Sequence, residues 1–256
     1  FPRYLELTRP ESHIEVAEID PAVTEAAHAA LALPRDTALH IFNMDARNHV
    51  ADLIERKRRG EEVPPFDCIF GDSINDYTVP FHLTTLEFTR QVEALLAHDG
   101  IYLLNLIDMF DSGAFLSAVV NTCQEVFPFV YAFDTGRVTY MRDTFVVVSS
   151  HRPLNLQDIP ESIRARHPEY AGRLVDPRLI EGLIEKHGHL VLRDNYAPVE
   201  NLLTPVVKSR QKDAAELLFN RARSYAAQGQ VRRAMEDARA ALALRANWAD
   251  AHEFIG

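Results

Sequence analysis

Short β-rich runs alternate with helical ones from residue 13 to about residue 150, and no other feature limits the fold as tightly. The strand candidates are 13–19 (HIEVAEI), 39–44 (LHIFNM), 66–71 (FDCIFG), 100–107 (GIYLLNLI), 129–134 (FVYAFD) and 144–150 (TFVVVSS). Between them the spacing predicts helices over 21–32, 48–60, 84–97 and 114–126. Strand and helix in turn, with strands that are almost continuously apolar, imply an α/β fold whose mostly parallel sheet is covered on both faces. Only about ten residues separate the last two strands, too few for a helical crossover, so an antiparallel end to the sheet is expected. Residues 152–176 mix prolines with charges and read as loops with one short helix. A helix over 177–187, a short strand at 189–192 and the segment RDNYAPVENLL follow.

From about residue 205 the composition changes to alanine, arginine and leucine in a helical period. Ala222, Tyr225, Gly229, Ala234 and Ala241 stand where a 34-residue tetratricopeptide repeat places its small residues, tyrosine and turn glycine. Ala246 occupies the position where that pattern has proline. The alternative is an ordinary alanine-rich helical hairpin. The expected division is a catalytic domain over 1–206 and a helical repeat segment over 207–256.

With 256 residues, 47% of them hydrophobic, the chain has material for one large domain and a small one. Its net charge of −10 argues against duplex nucleic acid as a partner, because phosphate neutralisation needs a basic face, and it suits a cationic ligand. Cys68 and Cys123 lie in apolar runs and read as small core residues. The eleven histidines show no ligand spacing, so no metal is expected. No apolar run approaches the roughly 18 to 20 residues that span a bilayer. The chain opens with FPRYLEL and carries no signal peptide, which leads to an expected cytoplasmic location.

Open α/β sheets bind ligands at the carboxyl ends of their strands, and three such ends here carry acids. In the first, AEIDP, Asp20 before Pro21 suits a helix N-cap, whereas Glu18 has no capping task and can accept hydrogen bonds from a ribose. In the second, NMDARNHV, Asp45 suits either a cap for a helix near Asn48 or an acceptor for an adenine amino group. In the third, FDCIFGDSINDYTVPFHLTTLEF (66–88), Asp72 closes the strand and Asp76 stands four residues on. A cap uses one carboxylate; a pair makes a base or a socket for a protonated amine, against which Tyr77 can stack.

Together EIDP, the Asp-Ala pair of NMDARNHV, the 66–88 stretch and AHDGIYLLNLID resemble the spermidine synthase (polyamine aminopropyltransferase) family. The likeness is to its bacterial fused-type branch, where an acid-x-x-Asn-Asp-x-x-Val-Pro-x-His-Leu-Thr-Thr stretch recurs. RDNYAPVENLL resembles the end of that catalytic domain, so the resemblance covers about residues 1 to 206. It implies a Rossmann-like, class I methyltransferase-type sheet that uses decarboxylated S-adenosylmethionine and a small-molecule amine, without metal. By position, Glu18 matches the acid on the ribose, Asp45 and Ala46 the pair lining the adenine, and Asp72 the general base after the fourth strand. Asp76 matches, with one extra residue between, a second acid that holds the amine. A homodimer and a protein partner or self-association through the repeats are also expected.

Three features differ from that pattern. The glycine-rich loop with its strand, and the N-terminal β-hairpin domain, are absent from the sequence, so a fragment with exposed sheet edges is expected. DTGRVTYMRDTF stands where the family has Tyr-Pro-Ser-Gly, which leaves the acceptor open. Two other functions fit the same residues: methyl transfer from S-adenosylmethionine, and a non-catalytic scaffold working through the repeats.

Overall fold

The computed structural model describes residues 1–74, 79–109, 112–135, 142–155 and 172–255. Helix α1 (Pro2–Thr8) lies in a stretch to which the sequence reading assigned no element. Its Glu6 carboxylate accepts from the Thr37 hydroxyl and the Ala38 N–H, which ties α1 to the approach to the second strand. Strands β1 (Glu15–Ala17) and β2 (His40–Phe42) pair in parallel on either side of α2 (Pro21–Ala30) in the chain. Asp20 caps α2 by accepting the Ala22 N–H, and Pro21 opens the first turn, as expected.

Helix α3 (Ala46–Arg58) leads to the second sheet, which has the order β3-β4-β6-β5-β7. Strand β3 (Phe66–Gly71) runs parallel to β4 (Leu96–Met109). Here α4 (Leu86–Leu95) stops short of residue 97, and β4 is longer at both ends than expected. Helix α5 (Ala114–Gln124) carries the chain to β5 (Phe129–Asp134), and β6 (Arg142–Ser150) returns antiparallel to both β4 and β5. The antiparallel end is therefore an inserted strand lying between its two neighbours. Leu86, Leu106, Phe115, Leu116, Phe145 and Val147 are fully enclosed at its centre. Among the described residues, β1 and β2 form a sheet of their own, and Leu33 is the only fully buried side chain before residue 49.

A short strand β7 (Arg173–Leu174) pairs with β5 before α6 (Pro177–Lys186). The strand expected at 189–192 does not form. The Asn121 side chain takes the His189 and Leu190 carbonyls, the Thr122 hydroxyl binds Leu192 N–H, and the Leu192 carbonyl receives Leu86 N–H. With those groups taken by helix residues, no strand partner is left for them.

Helices α7 (Val199–Leu202), α8 (Thr204–Ala227), α9 (Val231–Leu244) and α10 (Ala249–Ile255) complete the chain. Gly229 turns α8 into α9 at φ +72°, a left-handed angle that favours glycine. Ala222, Ala234, Ala238 and Ala241 are buried between these helices, where a small side chain permits close approach. Phe219, Ala241 and Ala251 form a core separate from that of the sheet.

Candidate active site at the strand exits

Glu18 stands just past β1, where its backbone N–H donates to the Phe42 carbonyl and its Oε1 accepts the Asp20 N–H at 2.9 Å. Glu18 does not cap α2 itself, but it steadies Asp20, the residue that does. Its second carboxylate oxygen has no partner among the described residues. Asn43 binds the Glu18 carbonyl, so the tips of β1 and β2 are joined.

Asp45 begins α3. Its Oδ1 accepts the Arg47 and Asn48 N–H groups, while Oδ2 accepts from His82 Nε2 at 3.0 Å. Partial burial would raise this carboxyl, but the His82 bond and the two amides outweigh it and hold Asp45 below the usual carboxylate range. Capping, one of the two readings of Asp45, is thus what its Oδ1 does, for a helix that starts at Ala46, two residues earlier than expected. Ala46 packs against the main core.

His82 lies in a 3-10 turn (Phe81–Leu83) after β3, so its bond to Asp45 joins the exits of β2 and β3. Asp72 follows β3 directly. It is exposed, and its Oδ1 accepts from Asn105 Nδ2 of β4 at 2.7 Å, leaving Oδ2 without a partner among the described residues. The approach of β3 to β4 is close: a Cβ on Gly71 would stand 2.8 Å from Leu104 Cδ1. Asp76 and Tyr77 lie outside the described residues.

A network not anticipated from the sequence continues from α3. The Arg47 guanidinium pairs with both oxygens of Asp194, at 2.8 and 2.5 Å, and also donates to the His82 carbonyl. Thr85 donates to the same carboxylate, and the Asp194 N–H reaches Glu87. The Arg47 bond above all, helped by the Thr85 hydroxyl, outweighs the opposing effect of burial and holds Asp194 below the ordinary carboxylate range. The signal for this network lies in VPFHLTT and RDNYAP, whose resemblance to the family carries no role for His82, Thr85 or Asp194. Beside it opens a cavity of about 320 Å³, lined by Val79, Phe81, Tyr196, Ala197 and Glu200 among others. Glu18, Asp45 and Asp72 do not line it.

The fold is the α/β class I methyltransferase-like fold with a mixed sheet. A probable spermidine synthase from Corynebacterium glutamicum superposes with a TM-score of 0.60 at 20% identity, over 77% of this chain and 69% of that one. Human methyltransferase-like protein 13, in complex with SAH, gives 0.51 at 21%, over 79% and 76%. In sequence, the chain is 31% identical over 96 residues to a polyamine aminopropyltransferase of Vibrio vulnificus, which covers 38% of this chain and 30% of that protein. It is 30% identical over 124 residues to an eEF1A lysine and N-terminal methyltransferase of Xenopus laevis, covering 48% and 18%. The chain thus spans less than a third of either relative's length. No protein-family profile matches it.

Proposed function

We propose that residues 1–206 form the catalytic domain of a transferase that moves an aminopropyl group from decarboxylated S-adenosylmethionine to an amine. The observation that carries this reading is Asp72: a strand-exit carboxylate oriented through one oxygen by Asn105, with the other oxygen open. A primary amine has a pKa near 10 and must lose a proton before it attacks. Its nitrogen then bonds to the methylene beside the sulfonium, and the C–S bond breaks with its electron pair passing to sulfur. The proton goes to Asp72 and methylthioadenosine leaves. Glu18 retains an oxygen for the ribose hydroxyls, and Asp45 Oδ2 keeps a lone pair beside His82 for the adenine amino group. Ala46 lines the adenine, and Asp76 and Tyr77 would hold the amine.

The test is release of methylthioadenosine by the full-length protein from labelled decarboxylated S-adenosylmethionine and candidate diamines. Asp72→Asn should lower it by about 10² to 10⁴-fold with an unchanged melting temperature. Folded protein that releases none rejects the proposal.

Methyl transfer is the second reading. Its support is the longer aligned stretch shared with the eEF1A methyltransferase. Release of S-adenosylhomocysteine in the same assay supplied with S-adenosylmethionine would favour it. Within either reading, residues 207–256 act as tetratricopeptide-like helices that bind a protein partner or a second copy of the chain.

A further inference from the structure

Helix α3 ends in the run Arg56-Lys57-Arg58-Arg59, a block of positive charge on a chain of net charge −10. A structural reading comes first, because cations are stabilised at a helix C-terminus. It accounts for part of the block. Arg56 and Arg59 both pair with Glu61, just past the helix. Lys57 Nζ donates to the Ala94 carbonyl at 2.9 Å, which fastens the end of α3 to the end of α4. Arg58 instead lines a groove between the two helices, with a volume of about 290 Å³. Ala51 and Ile54 of α3 and Arg90, Gln91 and Ala94 of α4 complete its walls.

Helix position does not account for Arg90, which stands midway along α4 and has no hydrogen-bond or ion-pair partner among the described residues. The acids one turn away are engaged elsewhere: Glu87 accepts the Asp194 N–H, and Glu93 binds His151 Nε2 at 3.0 Å. Arg58 has only Glu55, at 3.8 Å with both side chains more than half exposed, a pair that water leaves almost without strength. Gln91 hides its Oε1 from solvent without a donor among the described residues, so its amide offers the groove N–H groups. The Ala94 carbonyl is already taken by Lys57. Two guanidinium groups and an amide thus present donors alone, above an aliphatic floor. A cation would meet only like charge there.

We propose that the α3–α4 groove is a binding site for a small phosphomonoester. Its phosphate lies between Arg58 and Arg90 with Gln91 Nε2, and its alkyl body lies over Ala51, Ile54 and Ala94. Three donor groups from two helices match the three terminal oxygens of a phosphate, whereas a carboxylate has two oxygens and is satisfied by one guanidinium fork. Asp45 caps the opposite end of α3, 13 residues of helix or about 20 Å away. The groove is therefore separate from the strand exits, and the proposal does not depend on which group the transferase moves.

Isothermal titration of the full-length protein with propyl phosphate, inorganic phosphate and butyrate tests this. Propyl phosphate should bind about fivefold or more tightly than inorganic phosphate, from the cover given to its methylenes, and about tenfold more tightly than butyrate. Arg90→Ala should weaken both phosphates about tenfold. Ala94→Leu keeps every charge but fills the groove, and should abolish the preference for propyl phosphate over inorganic phosphate. Both residues are exposed, so each variant should keep the wild-type melting temperature. No binding of propyl phosphate, affinity that survives Arg90→Ala, equal affinity for butyrate, or a preference untouched by Ala94→Leu overturns the assignment. Sedimentation with phosphatidylcholine vesicles carrying phosphatidate separates the two sources of such a group. A chain of net charge −10 should take the free ester and leave the anionic vesicles, and Arg90-dependent co-sedimentation would overturn the small-molecule assignment.

Discussion

The surroundings of Asp108 alter its chemistry strongly. It is fully buried at the end of β4, where its carboxylate accepts the N–H of the next residue, Met109, and those of Phe115 and Leu116 at the start of α5. Burial nevertheless prevails over those three bonds and pushes the carboxyl up from 3.8 to about 6. A folded-state pKa above the unfolded one means stability that is complete below about pH 4 and is lost as pH rises through about 6. The contribution is about 3 kcal/mol at 1.36 kcal/mol per unit. Urea denaturation of wild type and Asp108→Asn at pH 4 to 7 should show wild type losing ground to the variant across that window. A gap independent of pH would disprove it. At this scale Asp20 was legible because a cap before proline is local. The Asp45–His82 pair was not, since its partners are 37 residues apart and only folding brings them together.

Among the elements, the contact that matters most for the site is the one between RDNYAP and α3. The Arg47–Asp194 pair spans 147 residues and fixes the segment that walls the cavity. Arg47 is mostly covered while Asp194 is almost half exposed, so solvent weakens the pair. A double-mutant cycle with Arg47→Ala and Asp194→Ala should give a coupling of about 1 kcal/mol or slightly more. Coupling near zero would mean that the pair does not hold the segment. Helix positions followed from apolar spacing, and Gly229 was legible as a turn because its conformation suits glycine. The strand at 189–192 was misread: its apolar residues do enter the core, but side chains of α5 take its backbone groups. No sequence period encodes that choice.

Over the whole molecule, two apolar cores divide the chain: the sheet with α3 to α7, and the helical hairpin with α10. The single tryptophan, Trp248, packs on Phe219 in the second core, with the Arg245 guanidinium 4.7 Å from its ring centre. Its fluorescence therefore reports the helical unit, whereas circular dichroism reports both. In urea the two signals should give different midpoints, and coincident transitions would show one cooperative unit. Among the described residues, no helix is long and apolar enough to cross a membrane. By itself the sequence determined the α/β class, most element positions, the caps and the acids at the strand exits, because each depends on neighbours within a few residues. Tertiary structure alone decided that β6 lies between β4 and β5, that His82 binds Asp45, and that Glu200 shares a cavity with Phe81. Those choices depend on which distant surfaces bury each other, and that free energy belongs to the pair of surfaces and is encoded in neither segment alone.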